Sequence, residues 1–74
     1  MRSIDQAVIE YLEAQSQQAG RPIEVRSDRD IATAINKSIP EVRASVERLA
    51  ARGLVEYAES VDSYTVWLPL PEAP

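Results

Sequence analysis

The stretch SIPEVRASVERLAARGLVEY, Ser38 to Tyr57, constrains this chain more than any other. Ser38 stands at a helix cap, Pro40 falls in the first turn, where its missing N–H costs nothing, and Glu41 sits at the position reciprocal to the cap. Val42, Val46, Leu49 and Ala50 then form one inward stripe. Arg48 and Arg52 fall near the helix C-terminus, where cations complement the dipole, and Gly53 supplies a left-handed cap. The sequence turns directly to LVEYA, a strand signal. A helix feeding straight into a strand must pack its apolar stripe on something that precedes it.

Two such elements precede it. Ser3 can cap a helix in which Ile4, Ala7, Val8, Tyr11 and Leu12 make one apolar stripe, with Ile9 at its edge. Gly20, Arg21 and Pro22 end that helix. PIEVR alternates Ile23 and Val25 with polar residues and predicts a short strand. Ser27, with Asp30 three residues on, opens a second helix that turns Ile31, Ala32 and Ile35 inward and ends near Asn36 and Lys37. After LVEYA, the segment YTVWL predicts the return strand of a hairpin around ESVDS, with Tyr64, Val66 and Leu68 on one face and Thr65 and Trp67 on the other. The early strand can pair with this hairpin to give three strands. The expected class is α+β, mainly α, in the order α-β-α-α-β-β. Residues 1–68 form the domain and residues 69–74 a proline-rich tail.

That order resembles the winged helix-turn-helix. VRASVERLAARGLVEY is similar to the L-x-x-[KR]-G-[LI]-[IV] end of recognition helices in winged-helix regulators, shared by MarR-type repressors and the DNA-binding domain of the LexA repressor. IDQAVIEYLEAQSQQAGRP resembles the LexA-type first helix, and DIATAIN the second helix of that family. The segment IEVRSDR looks a few residues longer than the corresponding LexA-type loop, and no second domain follows. The resemblance covers roughly Ile4 to Leu68. It implies a DNA-binding regulator, repressor-like, with residues of about 38–52 in the major groove.

By that resemblance Ser38, Pro40, Glu41, Arg43, Ala44, Glu47 and Arg48 face the groove. Arg43 could pair bidentately with a guanine. It could equally pair with Glu47 at i+4, worth about 0.2–0.5 kcal/mol. Arg26, Arg29 and Lys37 flank the second helix, where phosphate contact is expected and solvated surface is the alternative. The expected DNA contacts are therefore Arg26, Arg29, Lys37, Ser38, Arg43, Ala44 and Arg48. Glu41 serves the cap, and Glu47 is an exposed helix charge. For DNA binding, the five cations among these must form one continuous face. Because one small module reads few base pairs, a homodimer is expected.

Charge supplies the competing reading. Formal net charge is −4. Seven of the eight bases lie in residues 21–53, whereas residues 54–74 hold four acids and no base. A wing that touches DNA usually carries arginine or lysine, yet this one carries Glu56, Glu59 and Asp62. The second function class is thus a protein-binding winged helix, an adaptor or inhibitor of a nucleic-acid machine, engaging a basic partner through those three acids. It predicts that salt bridges break up the cationic face. A third possibility is a fragment of a larger regulator, although Met1 favours a complete small gene product.

With no cysteine and no histidine, thiolate chemistry, the usual zinc sites and histidine-dependent triads are excluded. No enzyme activity, metal or cofactor is expected. No run approaches the roughly 18 apolar residues of a membrane span, and the N-terminus lacks the pattern of a signal peptide. The cytoplasm is the expected location.

Overall fold

The computed structural model describes residues 2–21 and 23–70. Its elements are α1 (Ile4–Ala19), β1 (Arg26–Ser27), α2 (Asp28–Ile35), α3 (Ile39–Ala51), β2 (Glu56–Glu59) and β3 (Tyr64–Trp67). The class is α+β, mainly α, in the expected order. Residues 71–74 of the expected tail, and Pro22, lie outside the described residues.

Each helix is delimited by the same local devices. Ser3, Ser27 and Ser38 are the N-caps, and their hydroxyls accept the N–H groups of Gln6, Asp30 and Glu41 at 3.1, 3.1 and 3.2 Å. At Ser38 the capping box is complete, because the Ser38 N–H donates to Glu41 Oε1 at 3.1 Å. Helix ends are closed by left-handed residues: Gly20 (φ 65°), Asn36 (φ 58°) and Gly53 (φ 75°). After α3, the Gly53 N–H donates to the Ala50 carbonyl and the Leu54 N–H to the Leu49 carbonyl, the paired bonds of a Schellman motif. Asparagine does the work of glycine after α2 because its short polar side chain tolerates the left-handed region.

The core is aliphatic. Val8 and Leu12 of α1, Ile31 and Ala32 of α2, Val42, Val46 and Leu49 of α3, and Val55 and Val66 of the hairpin region are buried. Ile4, Ile9, Tyr11, Ile35 and Leu68 pack at its margin. Helix α3 is the shared wall, packing on both α1 and α2 and touching β2. A three-residue turn, residues 36–38, joins α2 to α3. The β2–β3 hairpin that follows stands where the wing is expected.

The three strands form one antiparallel sheet in the order β1-β3-β2. Here one expectation needs correction. The alternation of Ile23 and Val25 does not form the strand. Both are exposed, and β1 is Arg26–Ser27, paired with Val66 and Thr65. Ser27 is fixed as the cap of α2, and only the two residues at that junction reach β3. This register puts Arg26, not Val25, on the face of Val66. No helix among the described residues is long and apolar enough to cross a membrane.

Replacing Ser38 with alanine removes the cap of α3 and strands Glu41. It is expected to cost about 1 kcal/mol, a fall in Tm of about 4–8 °C for a domain of this size, measurable by circular dichroism.

Candidate nucleic-acid interface

The solvent face of α3 follows from its burial pattern. Val42, Ser45, Val46 and Leu49 are buried, while Pro40, Glu41, Ala44, Glu47, Arg48 and Ala51 are exposed. At 3.6 residues per turn, Pro40, Ala44, Glu47 and Ala51 line up along the outermost stripe. Arg43 and Arg48 flank that stripe on opposite sides.

Arg43 turns toward α2 and the wing. Its Nε donates to Asp28 Oδ2 at 2.6 Å, and its Nη2 to the Asp62 carbonyl at 2.8 Å. Its guanidinium lies 5.2 Å from the centre of the Tyr64 ring, within cation–π range. The Asp28 side chain is only 1% exposed. The hydrogen bond from Arg43 is what makes a carboxylate tolerable there, and the same bond raises the arginine pKa. The pairing of Arg43 with Glu47 does not form. Instead Glu47 accepts the Tyr64 hydroxyl at 2.5 Å, and this bond, with burial and nearby acids, pushes the phenol up to about 12. Tyr64 also stacks on Tyr57, with ring centres 4.9 Å apart.

Arg48 turns the other way, toward α1. Its Nη2 donates to Asp5 Oδ1 at 2.7 Å, and the buried Ser45 hydroxyl donates to the same oxygen at 2.6 Å. The bond from Arg48 is the largest cause holding the Asp5 carboxyl below its ordinary range. Arg26 points at the C-terminal half of α1. It donates to Gln15 Oε1 at 2.8 Å and to Glu24 Oε1 at 2.6 Å.

The continuous cationic face is therefore absent: Arg26, Arg43 and Arg48 are each committed to an internal acid. The Ser38 hydroxyl is occupied too, donating to Glu41 Oε1 at 2.9 Å. Ala44 is open on the outer stripe. Arg29 and Lys37 are exposed at the two ends of α2, and among the described residues neither has an ion-pair partner. On the wing, Glu56, Glu59 and Asp62 are exposed, and Val61 at the tip is 99% exposed. Trp67 is half-buried on the sheet face opposite Val66, across from Glu56.

The sequence gives no sign that Asp28, Asp5 and Tyr64 meet these arginines, or that Ser45 supports Asp5. Their contacts join residues 15 to 43 positions apart, and no local pattern announces them. Among the described residues no group of three or more metal-binding side chains comes together. Comparison with known proteins finds no matching family model, no matching curated protein and no matching solved structure.

Two measurements check this wiring. Arg43→Ala should destabilise the domain by about 2–3 kcal/mol at neutral pH, because it strands a buried carboxylate. In an Asp28→Asn background the same substitution should cost clearly less, as a denaturant double-mutant cycle would read. Tyr64 should ionise near pH 12 in ultraviolet titration, with Glu47→Gln moving it back toward 10. Since its folded value lies above its unfolded one, its stabilising effect is complete below about pH 10 and is lost as pH rises toward 12.

Proposed function

We propose that the domain is a small DNA-binding regulator that docks on duplex DNA through α2 and α3, with its wing held off the backbone. The observation that carries this reading is the pair Arg29 and Lys37. They are exposed, have no ion-pair partner among the described residues, and bracket α2, the helix that crosses the DNA backbone in a helix-turn-helix. The outer stripe of α3 supports it. Pro40, Ala44 and Ala51 are short, so the helix backbone can lie close to the floor of a major groove. The Ala44 methyl suits a thymine methyl. Glu41 and Glu47 already have hydrogen-bond partners within the chain.

The contact set is thus smaller than the sequence suggested. Arg43 is held by Asp28, and Arg26 faces α1. Among Arg26, Arg43 and Arg48, Arg48 is the one best placed to exchange, because its side chain and that of Asp5 are 56% and 24% exposed, and surface pairs are worth only about 0–1 kcal/mol. A second reading is favoured by the broken cationic face and the acidic wing. In it, Glu56, Glu59 and Asp62 engage a basic protein.

Fluorescence anisotropy against mixed-sequence duplex DNA separates the two. With two phosphate contacts per protomer, log affinity should fall with log salt at a slope near −2, about a tenfold loss between about 50 and about 200 mM salt. Arg29→Ala and Lys37→Ala should each flatten the slope by about 1, and Arg26→Ala should leave it unchanged. No binding at about 50 mM salt and tens of micromolar protein would sink the DNA reading. In that case, capture of a basic protein that fails with Glu59→Lys and Asp62→Lys would support the second.

A further inference from the structure

A groove of about 400 Å³ runs between α1 and the C-terminal end of α3. Ile9, Leu49 and Leu54 give it an apolar floor, and Leu54 is 41% exposed. Its rim is ionic, and two of its four charges are spent internally. Asp5 is bound by Arg48 and Ser45, and Glu10 by Arg2 and Gln6. Two rim charges remain, Glu13 on α1 and Arg52 at the end of α3. Both are exposed, and among the described residues neither has an ion-pair partner.

One apolar floor flanked by one open acid and one open base is a self-complementary pattern. In a two-fold interface residue i meets j and j meets i. A second copy rotated onto this groove would place each Glu13 against the other's Arg52 and bury Leu54 and Ile9 between them. A purely basic or purely acidic partner would leave one rim charge opposed by its own sign. The outer sheet face around Trp67 lacks this balance, since the register sets Glu56 beside Trp67 and no base on that face.

We propose that this groove is the interface of a symmetric homodimer. It does not rest on DNA binding. It is compatible with it, because Arg52 stands about 20 Å along α3 from Ser38 at about 1.5 Å per residue, so α2 and the start of α3 stay open in the dimer. A groove this small makes a modest interface, and association in the micromolar range or weaker follows.

Sedimentation velocity without DNA, from about 5 μM to about 1 mM protein, tests it. The wild-type chain should shift from monomer to dimer across that range. Glu13→Arg alone and Arg52→Glu alone should each stay monomeric, having put like charges together. An equal mixture of the two variants should regain the dimer. In the mixed pair the introduced arginine of one chain meets the introduced glutamate of the other, and the native Glu13 and Arg52 that remain meet each other. Circular dichroism confirms that the single variants are folded; both changes are on exposed side chains. Leu54→Asp should also abolish association. A wild-type monomer throughout, a dimer indifferent to both single changes, or a mixture that stays monomeric would each overturn the proposal. None of these outcomes depends on whether DNA is bound.

Discussion

The Asp28 carboxylate is almost fully removed from water, and among the described residues Arg43 is its one ion-pair partner. A buried charge left alone costs several kcal/mol, a large share of the stability of so small a domain. Arg43 must therefore stay, and its position fixes three elements at once. It stands on α3, bonds the first residue of α2, and holds the wing through the Asp62 carbonyl and the Tyr64 ring. The aliphatic core brings α2 and α3 together by area, but area is not directional. The directional part of the α2–α3–wing arrangement comes from this guanidinium.

The same interaction reshapes the electrostatics of the outer surface. An arginine at this place on α3 is expected to offer positive charge to a phosphate or a guanine. Here it pairs with Asp28, with Glu59 nearby and the Asp62 carbonyl on its outer nitrogen. Its charge is balanced locally. Arg48 repeats the logic on the opposite flank, where Asp5 and Ser45 tie α1 to α3. What is left for the proposed nucleic-acid contact is Arg29 on α2 and Lys37 in the turn after it. A domain of net charge −4 is repelled by phosphate at long range. Any DNA affinity then depends on few short-range contacts and on presenting two copies together.

The two open charges on the rim of the α1–α3 groove, Glu13 and Arg52, flank apolar surface rather than the proposed DNA side. Both are single-helix surface residues that the network of internal pairs leaves unused. A surface that spends most of its ions internally and keeps one of each sign beside a groove is suited to meeting itself.

What the sequence determined by itself was the helix limits, the helical core and the order of elements. Serine caps, the capping box at Ser38 and Glu41, and Gly20, Asn36 and Gly53 set the helix limits, because caps act within one turn of chain. Apolar spacing placed Val8, Leu12, Ile31, Val42, Val46 and Leu49 in the core, and set Val66 on one face of its strand, because burial follows period. The tertiary structure alone decided the register of β1, which moved the strand from Ile23 and Val25 to Arg26 and Ser27. It alone decided, too, which charges are free. Arg43 could be read in the sequence as a DNA contact or as a partner of Glu47, whereas its carboxylate partner in the fold is Asp28, 15 residues away. Ion pairing depends on distance in space, and the fold sets Asp28 of α2 beside Arg43 and Asp5 of α1 beside Arg48.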